Sequence, residues 1–272
     1  MLKKALFATA NSFTPVFNTE DLRSLFGGTD GKTLPLQNGL LKELETIVFP
    51  GTLFSVVQKI PGSFLAEVQT EEYPSEVPLF VDERFLSFHE EKPLTRQKNL
   101  PSLSAVLETM TFFVGTPYLW GGSSPGVPEM PKWYPPKVDL DLLSEPYRHT
   151  WCLQGLDCSG LLYYSTCGFT PRNTSSLVHF GTPVPLEGKQ REEWNLLPGD
   201  LITWKGHVII VLDSEHVIES LGGKGVIVTP LLRRLQQIET ELQRMPIDHW
   251  NARPLLPENS RYVIRRWHPD VL

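Results

Sequence analysis

A cysteine, a histidine and a carboxylate stand in this chain in an order that suits nucleophilic catalysis. The stretch Leu156-Asp157-Cys158-Ser159-Gly160-Leu161-Leu162 joins a helix-capping residue to an apolar face, which Gly168 and Pro171 bring to an end. The thiol of Cys158 is therefore predicted at a helix N-terminus. There the positive end of the macrodipole and the unpaired N–H groups favour the thiolate. The same N–H groups can take up charge that develops on a carbonyl oxygen. Ser159 and Gly160 leave room for a substrate backbone to approach. Taken alone, such a cysteine is more often a small buried hydrophobe. A base changes that balance. Forty-nine positions on, Gly206-His207 opens the apolar run Val208-Ile209-Ile210-Val211, an odd place for a core histidine. Its imidazole is suited to take the thiol proton. Twelve positions after His207, Glu219 ends the next strand-like run, so a hairpin would set its carboxylate beside the ring. His216 is the rival for that third role.

Read together and in order, the motifs resemble those of the NlpC-type family of cell-wall cysteine peptidases. They are Gly115-Thr116-Pro117-Tyr118-Leu119-Trp120-Gly121-Gly122, Asp157-Cys158-Ser159-Gly160, Pro171-Arg172, Pro198-Gly199-Asp200-Leu201 and His207-Val208. The resemblance spans residues 100–267. It implies a papain-like α+β fold and hydrolysis of the γ-D-glutamyl–diamino acid bond in peptidoglycan stem peptides, with no cofactor. Two other readings stay open: a non-catalytic wall-peptide binding protein, and a papain-like amidase or acyltransferase on another substrate.

Further upstream, Phe80-Val81-Asp82-Glu83-Arg84-Phe85-Leu86 resembles the closing strand of bacterial SH3-like domains. Relatives that carry such a domain ahead of the peptidase resemble recycling enzymes, which prefer a free N-terminal L-Ala. By that resemblance Tyr73 and Asp157 hold the substrate ammonium, with an exposed barrel aromatic as the alternative for Tyr73. Tyr118 directs its hydroxyl toward the oxyanion region, with core packing as the alternative, and Trp120 is read as core. Ser159 and Ser175 are candidates for substrate contact, with local capping equally open for each. Arg172 is read as structural. Two departures from the family stand out. Glu219 occupies a position that is usually His, and residues 123–156, rich in proline, lengthen the usual short loop between the Trp-Gly-Gly turn and the nucleophile. Loops of this length usually have a function of their own, and a wall or lid over the substrate groove is expected here.

The elements that must position these groups are legible in outline. Phe54–Val57 and Phe64–Val68, parted by Pro61-Gly62-Ser63, read as strands, as does Pro78–Val81. They predict a small SH3-like β-barrel within residues 1–100, to which residues 1–46 add strands or an arm. Residues 87–100 read as a linker. From Ser102, the residues Leu103, Val106, Leu107, Met110 and Phe113 recur at helical spacing up to Gly115. Strands are expected at 201–204, 208–212, 216–219, 226–228 and 262–267. A helix from Leu231 to Arg244 would bury Leu235, Ile238 and Leu242. This α+β order assigns residues 101–272 to a papain-like domain.

Composition narrows the classes. The 272 residues carry a net charge of −6 and 40% hydrophobic residues, and so lack the basic surface that nucleic-acid binding needs. Cys152, Cys158 and Cys167 are odd in number and show no CxxC spacing, which fits neither a disulfide scaffold nor a zinc site. Cys152 and Cys167 are read as spectators. The start, Met1–Ala10, imitates a signal peptide, but its apolar stretch is shorter than the roughly 7–15 residues such a segment needs. Retention in a bacterial cytoplasm is therefore favoured over export. No apolar run approaches the roughly 20 residues of a membrane span.

Overall fold

The computed structural model describes residues 6–28, 30–251 and 257–272. The first half of the signal-like segment, residues 1–5, lies outside them, and Leu6–Ala10 forms a strand. No helix among the described residues is long and apolar enough to cross a membrane. The chain gathers into two compact units. One holds the chain up to Lys98 together with Pro117–Gly160, and the other holds Asn99–Thr116 together with Leu161–Leu272. Both mix helices with antiparallel sheet.

The first unit is built on seven strands: β1 (Leu6–Ala10), β2 (Thr14–Phe17), β3 (Leu44–Val48), β4 (Leu53–Lys59), β5 (Leu65–Gln69), β6 (Leu79–Asp82) and β7 (Leu86–His89). The β4–β5 hairpin turns at Gly62, whose φ of +76° costs a glycine little. The strands pair in the order β3-β2-β6-β5-β4-β1-β7. Among the described residues β3 and β7 do not pair with each other, so the expected barrel is a β-rich sheet that does not close. Residues 1–46 do contribute strands. The expected linker is shorter than its composition suggests, because Phe88 pairs with Ala8 in β1. After that strand, a bidentate Arg96–Glu72 ion pair at 2.8 Å holds the chain to the sheet.

Residues 123–156 are folded onto this sheet. Met130, Tyr134, Trp151 and Leu153 share one hydrophobic core with Phe17, Leu44, Phe54 and Phe85. Burying each of these large side chains contributes roughly 1.5–3 kcal/mol. Polar bonds fix the register. The Tyr134 hydroxyl donates to Asp82 at 2.6 Å, Trp151 Nε1 donates to the Tyr134 carbonyl at 2.7 Å, and the Lys137 N–H donates to the Gly31 carbonyl at 2.8 Å. Two short helices, Met130–Trp133 and Glu145–Trp151, punctuate the segment. Compactness therefore does not follow a boundary at residue 100, because the apolar side chains of 117–160 are covered by the N-terminal strands.

In the second unit the helix Leu103–Phe112 begins where Ser102 accepts the Ala105 N–H, and it buries Leu103, Val106 and Met110. The chain re-enters this unit through the helix Cys158–Ser165. Two short pairing elements, β8 (Ser123–Ser124) and β9 (Gly155–Leu156), belong to the first unit. In the second lie β10 (Thr182–Pro183), β11 (Leu201–Trp204), β12 (His207–Val211), β13 (His216–Leu221), β14 (Gly225–Pro230), β15 (Met245–Pro246) and β16 (Arg261–Arg266). They pair in the order β10-β16-β11-β12-β13-β14, with β15 alongside β16. The last helix, Leu231–Thr240, is shorter than expected. Leu231, Leu235 and Ile238 are buried, whereas Leu242 lies beyond its end and is 44% exposed.

Candidate active site

The nucleophile's surroundings are set by glycines. The helix Cys158–Ser165 starts as its sequence predicts: Asp157 Oδ1 accepts the Gly160 N–H at 2.6 Å and the Ser159 hydroxyl at 3.2 Å. Ser159 thus makes the local bond that was one of its two alternatives. Cys158 and Asp157 are both buried. The Trp-Gly-Gly turn locks onto this helix start. The Gly122 carbonyl accepts the Asp157 N–H at 3.0 Å, and β8 pairs with β9. A methyl group on Gly160 would collide with that same carbonyl, and one on Gly122 with the Gly155 carbonyl. Two motifs far apart in sequence are therefore one packed joint. Between the turn's glycines and Tyr118, Leu119 is the core residue. Trp120, expected in the core, is 37% exposed, with the Lys42 ammonium 3.1 Å from its ring centroid. Tyr118 is half-buried.

In the second unit His207 opens β12 and is held from several sides. Its Nε2 lies 2.6 Å from Glu219 Oε2, on the neighbouring strand β13. The Thr203 hydroxyl donates to the His207 carbonyl at 3.0 Å, and Thr174 Oγ1 accepts the N–H of Gly206, the preceding residue, at 2.8 Å. The imidazole rests against Trp204, with ring centroids 5.2 Å apart, and the Arg244 guanidinium covers that indole at 4.7 Å. Glu219 is fully buried. Its carboxylate also receives a fork from Arg234, with Nε 2.6 Å from Oε1 and Nη2 2.8 Å from Oε2. Burial pushes the Glu219 carboxyl up, but the hydrogen bonds from His207 and Arg234 outweigh it and hold it below the ordinary carboxylate value. A cleft of about 450 Å³ borders His207, Glu219 and Arg234 and is rimmed by Lys224 and Arg233.

His216 takes no part in this cluster, since its Nδ1 lies 3.1 Å from Asp213 at the surface. Tyr73 donates its hydroxyl to Glu45 at 2.6 Å. Ser175 is exposed in the short helix Thr174–Leu177, where Asn173, not Ser175, is the cap. Arg172 is buried. Cys152 ends the helix Glu145–Trp151, and burial pushes its thiol up, while Cys167 is exposed. Reading the sequence missed Arg234, Thr174 and Trp204. Only Arg234 left a signal: a charge inside the buried stripe Leu231, Leu235, Ile238.

No curated protein matches this chain. Among solved structures, the P60 domain of antigen MAP1204 from M. avium subspecies paratuberculosis is 26% identical over 47% of this chain and 85% of that one, with a TM-score of 0.31. An NlpC/P60 family protein from Bacillus cereus is 17% identical over 98% of this chain and 64% of that one, with a TM-score of 0.36. The peptidoglycan hydrolase RipB from Mycobacterium tuberculosis is 26% identical over 47% of this chain and 58% of that one, with a TM-score of 0.32. This chain spans less than two thirds of the last two. The family model described as NlpC/P60 matches residues 115–244, a span that includes the Trp-Gly-Gly turn, Cys158, His207, Glu219 and Arg234. Residues 115–244 are thus a domain of the NlpC/P60 family.

Proposed function

We propose that residues 101–272 act as a papain-like cysteine peptidase that cleaves the γ-D-glutamyl–diamino acid bond of peptidoglycan stem peptides. The carrying observation is the buried carboxylate on His207 Nε2 within an NlpC/P60 domain that also keeps a thiol at a capped helix start. In this reading Cys158 Sγ gives its proton to His207 Nδ1 and attacks the γ-carbonyl carbon of D-Glu. Charge on the carbonyl oxygen is met by N–H groups at the start of the Cys158 helix, with the Tyr118 hydroxyl beside them. The imidazolium, stabilised by Glu219, protonates the departing amine of the diamino acid. Water then attacks the thioester, giving up its proton to the imidazole, and the thiol is regenerated.

The β-rich N-terminal unit takes the place of the SH3-like domain, and the preferred substrate carries a free N-terminal L-Ala. Tyr73 supports this, because donating its hydrogen to Glu45 makes its oxygen an acceptor for an ammonium. Asp157 is the second acceptor, and an ammonium taken from water needs such partners. A site built around a polar group rejects an analogue lacking it by roughly 10⁴-fold. The test is mass spectrometry of L-Ala-γ-D-Glu-diaminopimelate, free and N-acetylated, after incubation with the protein and with Cys158→Ala. Release of diaminopimelate from the free peptide by the unaltered protein alone is the expected result. Binding without cleavage would turn the reading to a wall-peptide binding protein. Equal cleavage of both peptides would remove the amine preference.

A further inference from the structure

Arg234 stands where a core residue belongs. It follows Leu231 by three positions and precedes Ile238 by four on the last helix, and its side chain is buried with theirs. Its Nε and Nη2 both donate to Glu219, one to each carboxylate oxygen. Oε2 is therefore shared between a permanent cation and the imidazole of His207. We infer that Arg234 is a positioning residue that sets how strongly His207 holds its proton, by neutralising and orienting the carboxylate on which the imidazole rests. This deepens the peptidase reading, and its catalytic consequence rests on that reading.

The physical argument concerns the pair rather than either member. Without Arg234, a buried carboxylate would face an imidazole with no compensating charge. Either the carboxyl or the ring would then take up a proton, and in both cases the pair would release it at higher pH. With Arg234 present, the carboxylate stays ionised without drawing the ring fully into the imidazolium form. The fork also fixes the carboxylate plane, which a single ammonium would not. Other charges face the same cleft. Lys224 lies on the β13–β14 turn, and Arg233 and Glu241 lie on the last helix and at its end. Arg244 covers Trp204, against which the imidazole packs. Arg234 is bonded to both oxygens of Glu219, so its charge acts on the carboxylate–imidazole pair at contact distance.

The experiment reads the ring directly, by ¹⁵N NMR titration of His207 in the full chain carrying Cys158→Ala, so that no thiolate interferes. Arg234→Met is expected to raise the His207 midpoint by about one pH unit or more, a tenfold tighter proton. Arg234→Lys keeps the charge and should move it by less than half as much. A folded Arg234→Met with an unmoved midpoint overturns the inference. Should Arg234→Met not fold, Arg234→Met/Glu219→Gln, which buries neither charge, carries the test. Recovered folding with a midpoint at or below the parent's supports the pairing, and failure to fold assigns Arg234 to packing alone and overturns it. With Cys158 restored, the acid limb of the pH profile of kcat/KM, where the base is lost to protonation, should move with the NMR midpoint. A shifted midpoint without any peptide cleavage would leave the role of Arg234 standing and remove the peptidase reading instead.

Discussion

Gly160→Ala should loosen the nucleophile's helix start while changing no reacting group. A methyl at this position meets the Gly122 carbonyl oxygen head on, with the carbonyl carbon at 3.0 Å and Asp157 Oδ1 at 3.1 Å. Two of these three atoms are backbone, so no flexible side chain can give way. Overpacking of this kind costs about 1–3 kcal/mol. Moving the Gly122 carbonyl also weakens its bond to the Asp157 N–H, worth a further ~0.5–1.5 kcal/mol. Alanine's better helix propensity returns up to about 1 kcal/mol. The net loss is about 0.5–3.5 kcal/mol, or a fall in Tm of roughly 1–14 °C in a chain of this size. The assay is thermal unfolding followed by circular dichroism, paired with the rate of Cys158 alkylation in the folded protein, which should change as the helix start shifts. Ser159→Ala is the control. It removes one local hydroxyl bond and should cost no more than about 1 kcal/mol. If Gly160→Ala unfolds within about 1 °C of the parent and Cys158 reacts at the parent's rate, the joint between the two glycine motifs is not what holds the thiol.

Cys158→Ala and His207→Ala should each abolish peptide hydrolysis, by several orders of magnitude in kcat, without altering the circular dichroism spectrum. Glu219→Gln should lower kcat with little change in KM, because it removes imidazolium stabilisation and no substrate contact, whereas His216→Ala should be close to silent. Glu219 is held below the ordinary carboxylate value, so its ion pairs stabilise the fold above that value and are lost as pH falls through the depressed one. Acid titration of stability should therefore show a loss beginning below the ordinary carboxylate range, and that step should flatten in Glu219→Gln/Arg234→Met. Tyr134→Phe should cost about 1.5–3 kcal/mol in urea unfolding, since it deprives the buried Asp82 of a charge-assisted bond.

The local rules of the chain were legible where side chain and backbone agree. Asp157 announced a helix cap, the apolar spacing after Ser102 a helix, and the β-branched run after His207 a buried strand. The spacing of His207 and Glu219 anticipated their meeting, because two antiparallel neighbours joined by a short turn have few registers open to them. What escaped was information held across long separations. Nothing near Tyr134 or Trp151 signals that their partners are Asp82 and the β-sheet core, so a proline-rich stretch read as a loop over a groove. Trp120 read as core because its type is usually buried, yet its ring lies at the surface beneath the Lys42 ammonium. Arg234 was overlooked because a helical stripe is counted by its apolar members, although a charge within such a stripe demands a buried counter-charge.

The sharing of one core by the N-terminal strands and residues 117–160 also constrains how this gene can be cut and recombined. A fragment beginning at residue 101 would keep every motif of the family and still lose the cover over Met130, Tyr134, Trp151 and Leu153. The exposed patch would be large and aromatic, the kind that drives aggregation. A fragment ending at residue 100 would lack those same side chains from its own interior. Exchanges with relatives should therefore move the strands and the 117–160 segment together, as a single heritable block, even though another stretch of chain separates them. The sheet's emergence from the ribosome meets the same constraint: its interior cannot be completed until translation has passed residue 153.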